Sequence, residues 1–260
     1  MTATSSSDGR HPVLFVGAGP GDPDLITVKG RDALAAADLV VYTGSLVPEA
    51  LLRWTRPEAR TVNSAALHLG EVIALLAAAH AEGRRVVRLH TGDPSLYGAI
   101  GEQMAELRRR GIPYAVVPGV TAAFAAAAAL GIEFTLPEVS QTLILTRMAG
   151  RTPVPETETL AALAGHRASM AIYLSVDQAE RMAAVLEQAY GPDAPCAVVY
   201  RASQPEQKII RTRLSELARS VRAEKVTRQA VVVVGRVLDR EGEETRSKLY
   251  DKDFTHGYRR

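Results

Sequence analysis

The sequence predicts an α/β protein of two domains, with a mainly parallel sheet in the N-terminal domain and a mixed sheet in the C-terminal domain. In the first half of the chain, short apolar runs alternate with helical patterns. This alternation is typical of parallel strands with helices on both faces. In the second half, strand patterns follow one another with fewer helices between them. The short turn RASQPEQ separates two of them, near Tyr200 and Ile209, and indicates an antiparallel hairpin.

The periodicity of apolar residues and the positions of Gly and Pro predict the individual elements. The predicted strands are residues 13–16, 38–42, 60–63, 85–90, 114–117, 142–146, 169–174, 197–200, 207–211 and 230–237. The predicted helices are residues 28–37, 48–54, 71–81, 98–110, 120–130, 177–190 and 214–222. Because Pro118-Gly119 interrupts the pattern, we expect a polar leader at 1–11, an N-terminal domain at 12–118, a C-terminal domain at 119–239 and a polar tail at 240–260.

Composition excludes several classes of protein. The chain has 260 residues, of which 47% are hydrophobic and 23% are charged, and its net charge is only +2. This is an ordinary balance for a globular protein and gives no reason to expect a nucleic-acid partner. No apolar run reaches the roughly 20 residues that cross a bilayer, and the leader lacks a signal-peptide pattern. We therefore expect a cytoplasmic protein without a membrane partner.

Metal binding and disulfide formation are not predicted. The single cysteine, Cys196, excludes an internal disulfide and a Cys-rich zinc site, and we expect it to be a small core residue. The six histidines are dispersed, with no pair at i and i+4 and no carboxylate at ligand spacing.

The stretch LHTGDPSLYG, from Leu89 to Gly98, indicates a ligand site. A turn at the carboxyl end of a parallel strand is where an α/β sheet usually binds its ligand. Asp93 brings a carboxylate to this turn, which disfavours a phosphate and favours an ammonium, a sulfonium or ribose hydroxyls. The turns GAGPGDP and PGVTAA also follow strands of the same predicted sheet, so we expect the three turns to lie along one edge and form the walls of a cleft.

The GAGPG segment does not predict a dinucleotide-binding Rossmann domain. The third glycine of that fingerprint would fall on Asp22, and two prolines, Pro20 and Pro23, prevent a helix from opening directly onto a pyrophosphate. The acidic residue that would bind a ribose is also absent from the end of the second strand, which reads Tyr42-Thr43-Gly44.

Basic residues recur near the predicted junctions of strands and helices. Each of them alone is ordinary surface, but together around one cleft they could hold the carboxylates of a polyanionic small molecule. The candidate substrate-binding residues are Lys29, Arg31, Arg53, Arg147, Arg151 and Arg201.

Four ordered motifs resemble the S-adenosylmethionine-dependent tetrapyrrole methyltransferases. They are VGAGPGDPDLITVKG, LHTGDPSLYGAIGEQ, VVPGVTAAFAAAAALGI and TRMAGRTPVPE, and the tail SKLYDKDFTHGYR is also similar to one branch of that family. The resemblance implies two α/β domains with the methyl donor in the cleft between them, and a homodimer. The activity that it implies is S-adenosylmethionine-dependent methylation of the tetrapyrrole precorrin-4 at C-11 in cobalamin biosynthesis, with S-adenosylhomocysteine as product.

The same resemblance places the donor-binding residues by position. They would be Pro20, Thr91, Gly92, Asp93, Leu96, Thr121, Ala122, Leu174 and Ala202. Relatives often have Met at the position of Leu174 and Gly at that of Ala202. We name no general base, because the sequence shows none. An electron-rich pyrrole carbon is already nucleophilic, so alignment of the two reactants and exclusion of water could suffice.

Three other functions remain open at this point. Methylation of the cobalt-containing form of precorrin-4 would leave the same motifs, because the metal would belong to the substrate. A non-catalytic protein that senses or carries a tetrapyrrole would also share them. An NAD-dependent dehydrogenase is the weakest alternative, because the Rossmann fingerprint is missing.

Overall fold

The computed structural model describes residues 11–44, 46–239, 247–248, 254–255 and 257–258. The chain divides into two compact units, Met1–Ala125 and Ala126–Arg260. Each unit contains a five-stranded sheet, entirely parallel in the first and mixed in the second, which confirms the predicted fold class. The leader at 1–10 and most of the tail at 240–260 lie outside the described residues, and the domain boundary at 118/119 stays a prediction.

The first unit alternates strands and helices as predicted. Its elements are β1 (Val13–Gly17), α1 (Val28–Ala36), β2 (Leu39–Tyr42), β3 (Arg60–Asn63), α2 (Leu69–Ala81), β4 (Val86–His90), α3 (Ile100–Arg109) and β5 (Tyr114–Val117). A further helix, α4 (Ala122–Leu130), continues into the second unit. The strand order is β3-β2-β4-β1-β5. Since all neighbours are parallel, the carboxyl ends of β4 and β5 flank that of β1 at one edge of the sheet.

Apolar side chains cover both faces of this first sheet. Alternate residues of a strand point to opposite faces, so Phe15 packs with Ile73 of α2 and Leu107 of α3 in one cluster. Val16 packs with Leu34 of α1 and Leu89 in the other. Burial on both faces holds the strands in register and fixes where each loop leaves the sheet.

The second unit contains the remaining elements. They are β6 (Leu143–Arg147), α5 (Leu160–Ala164), β7 (Ser169–Tyr173), α6 (Ala179–Tyr190), β8 (Pro195–Tyr200), β9 (Lys208–Arg213), α7 (Leu217–Ala223) and β10 (Ala230–Val234). The strand order is β6-β7-β10-β8-β9, in which only β6 and β7 are parallel neighbours. The predicted hairpin is confirmed, because Val199 pairs with Ile209 in antiparallel β8 and β9.

Several predicted boundaries are wrong, and each has a local cause. The helix predicted at 48–54 is a 3-10 helix, Glu49–Trp54, with the Leu51 N–H bonded to the Pro48 carbonyl. Helix α3 begins at Ile100 and not at residue 98, because Ala99 has a left-handed backbone with φ of 49°. The final strand ends at Val234, because Gly235 turns the chain with φ of 141°.

The last two predicted helices, at 177–190 and 214–222, each begin as a 3-10 turn before the α-helix starts. Those turns are Val176–Gln178 and Leu214–Glu216. Helix α5 was not predicted, because five residues are too short to show a helical period. Within the described residues, no helix has both the length and the apolar character needed to span a membrane.

Candidate ligand-binding site

Backbone hydrogen bonds join the loops that follow β1 and β4. The Ala18 N–H donates to the His90 carbonyl at 2.7 Å, and Gly19 and Gly92 exchange bonds in both directions at 2.8 and 3.2 Å. Two of the three glycine-containing turns are therefore paired like short strands beyond the end of the sheet. This pairing confirms that the GAGPGDP and TGDPSLYG turns lie together at one edge.

The third turn, which follows β5, packs against the other two where only glycine fits. A Cβ atom added to Gly119 would lie 2.1 Å from the Gly92 carbonyl oxygen and 2.8 Å from the Cα atom of Gly17. A Cβ atom added to Gly17 would lie 2.6 Å from the same oxygen and from the Cα atom of Gly119. The three backbones therefore approach too closely for any side chain at Gly17 or Gly119.

Asp93 connects the second turn to the third. Its Oδ2 accepts a hydrogen bond from the Gly119 N–H at 2.9 Å, and its Oδ1 accepts from the Ser95 N–H at 2.8 Å and from the Ser95 hydroxyl. Burial raises the pKa of Asp93, but these three hydrogen bonds outweigh it, and the pKa is lowered overall. The carboxylate is therefore ionised at neutral pH, with both oxygens bonded to protein. Oδ2 has a second lone pair that can still accept from a ligand.

The chain after Asp93 has an unusual backbone. Leu96 donates its N–H to the Asp93 carbonyl at 3.2 Å. Tyr97 and Ala99 then adopt left-handed conformations, with φ of 58° and 49°, although neither is glycine. A left-handed backbone at a residue other than glycine lowers the stability of the fold by about 1–3 kcal/mol, and such residues cluster at binding sites and switch regions. The strained segment follows directly on the predicted donor contacts.

The remaining predicted contacts of the first unit surround the same turns. Pro20 is buried next to the Gly19 bridge, and Thr91 is half-buried between β4 and Gly92. Thr121 is buried at the start of α4, where its carbonyl accepts from the Phe124 N–H at 3.1 Å, and half-buried Ala122 is the first residue of that helix.

The two predicted contacts of the second unit share an edge of its sheet. Strands β7 and β8 both run antiparallel to β10, so Leu174 and Ala202, which follow them, lie near the amino end of β10. Leu174 is 61% exposed and has φ of 53°. Its conformation is fixed by buried Ser175, whose hydroxyl accepts from the Met148 N–H at 2.9 Å and donates to the Tyr173 carbonyl at 2.7 Å.

The predicted substrate-binding residues fall into two kinds. Arg31 and Arg53 lie over the ring of Trp54 at 5.9 and 4.7 Å and form ion pairs with exposed Asp32 and Asp24. Lys29 and Arg151 are exposed. All four side chains could therefore reach a ligand. Arg31 and Arg53 would lose little free energy by leaving their carboxylate partners, because an exposed ion pair contributes about 1 kcal/mol or less.

Arg147 and Arg201 have internal roles instead. The Arg147 guanidinium donates to the carbonyls of Met148, Thr152 and Pro153 at 3.2, 3.1 and 2.7 Å and so fixes its own loop. The Arg201 Nε donates to Gln229 Oε1 at 2.9 Å. Their contact with a substrate stays a prediction.

Sequence reasoning missed several polar residues behind the turns. Ser95 was not singled out, although a Ser two residues after an Asp is a common turn partner. Arg88, His90 and Gln103 are all buried, at 5%, 3% and 5% exposure. In the sequence, only the arginine inside the apolar run VVRLH indicated that buried polar residues lie there.

Cys196 is buried as predicted, and burial raises the pKa of its thiol to about 12, which makes it inert. No cluster of three metal-ligating side chains occurs in the described part of the chain.

A family model for tetrapyrrole (corrin/porphyrin) methylases matches residues 12–218 of the chain. The match covers the first sheet, all three glycine-containing turns and four of the five strands of the second sheet, all except β10. The chain belongs to the tetrapyrrole methylase family.

Individual methylases of this family match almost end to end. The chain is 52% identical to the precorrin-4 C(11)-methyltransferase of Pseudomonas aeruginosa, over 95% of this chain and 98% of that protein. It is 45% identical to a cobalamin biosynthetic enzyme of known structure, a cobalt precorrin-4 methyltransferase, with a TM-score of 0.86 over 88% of this chain and 96% of that one.

A further solved structure of the family contains a ligand. It is the uroporphyrin-III C-methyltransferase of Thermus thermophilus in complex with S-adenosylhomocysteine. It is 30% identical to this chain, with a TM-score of 0.71 over 88% of this chain and 94% of that one.

Proposed function

We propose that this methylase transfers a methyl group from S-adenosylmethionine to C-11 of precorrin-4. The proposal is supported above all by the similarity to the Pseudomonas aeruginosa precorrin-4 C(11)-methyltransferase, which extends over 95% of the chain at 52% identity. S-adenosylhomocysteine in the Thermus thermophilus relative supports the choice of donor.

The three-turn edge of the first unit fits such a donor. Its polar groups include peptide N–H and carbonyl groups and the carboxylate of Asp93, whose pKa is lowered. A carboxylate repels phosphates but accepts hydrogen bonds from ribose hydroxyls and an ammonium, and it favours a nearby sulfonium. The other predicted donor contacts, Pro20, Thr91, Leu96, Thr121, Ala122, Leu174 and Ala202, stay part of this proposal.

The bound donor would supply an electrophilic methyl group on a sulfonium. The new bond forms between this methyl and the substrate carbon, the electron pair of the old bond stays on sulfur, and a neutral thioether leaves. The protein's part is to hold the donor in line with the carbon and to keep water away. Backbone turns that pack so closely that an added Cβ atom would clash, as at Gly17 and Gly119, suit this task.

Arg31 and Arg53 are the best-supported candidates for the substrate's carboxylate arms. Both guanidinium groups lie over the Trp54 indole, and the Trp54 Nε1 donates to the Pro23 carbonyl at 3.1 Å, so the ring is held in place. A planar cation on a fixed ring is well oriented for a bidentate bond to a carboxylate. Lys29 and Arg151 would serve as longer-range contacts.

Cobalt-containing precorrin-4 is the second candidate substrate. The 0.86 TM-score to a cobalt precorrin-4 methyltransferase supports it. The test is turnover of purified protein with a carbon-13 methyl donor on metal-free and on cobalt-loaded precorrin-4, read by mass spectrometry and carbon-13 NMR. We expect one labelled methyl group at C-11 of the metal-free substrate. Transfer only to the cobalt form would select the second candidate, and no transfer to either would indicate a tetrapyrrole-binding protein without catalysis.

We also propose the homodimer that the family resemblance implies. Sedimentation velocity of the purified chain tests it directly. A single species with the mass of one chain at micromolar concentration would overturn it.

A further inference from the structure

A buried arginine lies behind the loops of the first unit. Arg88, in the middle of β4, is only 5% exposed. Among the described residues, no carboxylate forms an ion pair with it. Burial lowers the pKa of the guanidinium to about 10, so it still carries its charge at neutral pH. Burying a charge without an opposite charge lowers the stability of the fold, so we asked what else this arginine does.

The guanidinium is satisfied by three neutral acceptors from different elements. Its Nε donates to Gln103 Oε1 at 3.0 Å, and its Nη1 donates to the Val41 carbonyl at 3.2 Å and to the Ser64 hydroxyl at 2.9 Å. All three acceptors are buried or belong to a buried strand residue. The planar shape of the group fixes the directions of these bonds.

Each acceptor lies next to a loop at the ligand edge of the sheet. Val41 is followed by Tyr42, the last residue of β2, and the Ser64 hydroxyl donates to the Tyr42 carbonyl at 3.0 Å. Ser64 is also the first residue after β3. One guanidinium therefore holds together the ends of β2 and β3, where the chain leaves the sheet.

Gln103 carries the connection to the strained turn after β4. Its Nε2 donates to the Ala99 carbonyl at 3.2 Å, and Ala99 is the left-handed residue directly before α3. The loop between β4 and α3 is thus fixed at one end by Asp93 and at the other end by the Gln103 side chain.

We propose that Arg88 is a positioning residue that, through Gln103 and Ser64, sets the conformation of the loops at the ligand edge and thereby the affinity for the methyl donor. The proposal rests on the proposed function, because it assumes that the donor binds at this edge. A merely structural arginine would change stability and affinity together. When a positioning arginine is replaced, the affinity for the donor falls more than it does after a core substitution outside the network that also lowers stability.

The test compares four full-length variants with the wild type. Arg88→Met removes the charge but keeps the volume, Gln103→Leu removes the link to Ala99, and Ser64→Ala removes the link to β2. Ile73→Val, a fully buried change in α2 outside the network, is the matched control. For each protein we would measure the melting temperature, the calorimetric Kd for S-adenosylhomocysteine, and hydrogen exchange of the β4–α3 loop.

For Arg88→Met and Gln103→Leu we expect a lower melting temperature, because each change leaves buried polar groups without a hydrogen-bond partner. We also expect faster exchange in the β4–α3 loop and a Kd raised about tenfold. Ser64→Ala should show a smaller increase. Ile73→Val should lower the melting temperature and leave Kd unchanged. If Arg88→Met does not fold, Gln103→Leu and Ser64→Ala carry the test.

Two results would overturn the proposal in different ways. If the wild type binds S-adenosylhomocysteine and the network variants bind it equally well with unchanged loop exchange, Arg88 has no positioning role and the proposed function stands. If the wild type itself does not bind S-adenosylhomocysteine, the proposed function fails and the inference fails with it.

Discussion

The carboxylate of Asp93 accepts a hydrogen bond from the backbone N–H of Gly119 at 2.9 Å, although the two residues are 26 positions apart in the chain. This bond connects the turn after β4 to the turn after β5. It makes Asp93 part of the wall of the candidate site as well as a possible ligand contact, and substitution of Asp93 tests both roles.

Replacing Asp93 with Ala should weaken donor binding while the fold remains intact. The variant loses three hydrogen bonds to a charged acceptor, in a half-exposed position, so we expect a loss of about 1–3 kcal/mol in stability. We also expect a clear increase in the calorimetric Kd for S-adenosylhomocysteine. Glu82→Ala, which removes a carboxylate from the surface pair with Arg84, should change neither quantity. A wild-type affinity in Asp93→Ala would exclude both roles.

Gly119→Ala should abolish donor binding for steric reasons. The added methyl group would lie 2.1 Å from the Gly92 carbonyl oxygen, so at least one turn must move. Gly101→Ala is the matched control, because a Cβ atom there meets nothing within 4 Å. In helix α3 that change should stabilise the protein by about 0.5–1 kcal/mol. Equal donor affinity in the two variants, measured by calorimetry, would show that the close approach of the turns is irrelevant to binding.

His90 should make stability dependent on pH. Burial, and secondly the charge of Arg88, lower its pKa to about 3 from 6.5. The unfolded chain therefore binds a proton below about pH 6.5 that the folded protein refuses until about pH 3, so stability falls as the pH is lowered through that window. Between pH 7 and pH 5 the loss from this group is about 2 kcal/mol.

Urea unfolding of the wild type and of His90→Phe at both pH values measures this contribution. The aromatic replacement keeps a ring next to Phe15, whose centroid lies 5.9 Å from that of His90, but it cannot bind a proton. The wild type should lose about 2 kcal/mol more than the variant between pH 7 and pH 5. An equal loss in both proteins would mean that His90 does not titrate as its burial implies.

Arg53→Ala should raise the KM for the tetrapyrrole and leave the Kd for the donor unchanged. The guanidinium lies 4.7 Å from the centre of the Trp54 ring, and it is proposed to exchange its exposed partner Asp24 for a substrate carboxylate. Removal of one charge-assisted contact should cost about 1.5–3 kcal/mol of substrate binding, or roughly 10- to 150-fold in KM. Arg84→Ala removes an arginine from another exposed ion pair and serves as the control. Equal KM values in the two variants would exclude Arg53 from the substrate site.

The arrangement of strands and turns could be predicted because it follows from sequence periodicity. Apolar runs such as residues 86–90 alternate with helical patterns, and parallel strands place their carboxyl ends at one edge. The turns containing Gly17, Gly92 and Gly119 were thus expected together. That Gly17 and Gly119 are in backbone contact could not be predicted, because it depends on how far each turn reaches beyond its strand.

The hydrogen-bond partners of polar side chains could not be predicted from the sequence. Arg147 and Arg201 were predicted as substrate contacts from their positions alone, and the sequence did not show that nearby carbonyl and amide groups accept their hydrogen bonds. Arg88 looked like an interruption of a strand, and only the structure shows that Val41, Ser64 and Gln103 converge on it. The left-handed backbones of Ala99 and Leu174 leave no trace in composition, because neither residue is one that favours that conformation.

A crystal structure of the protein with S-adenosylhomocysteine tests the central claim most directly. We predict electron density for the ligand against the backbone of the three glycine-containing turns, with a ligand hydroxyl or ammonium group within hydrogen-bonding distance of Asp93. Density for the ligand at another surface, with these turns in contact only with solvent, would contradict the account.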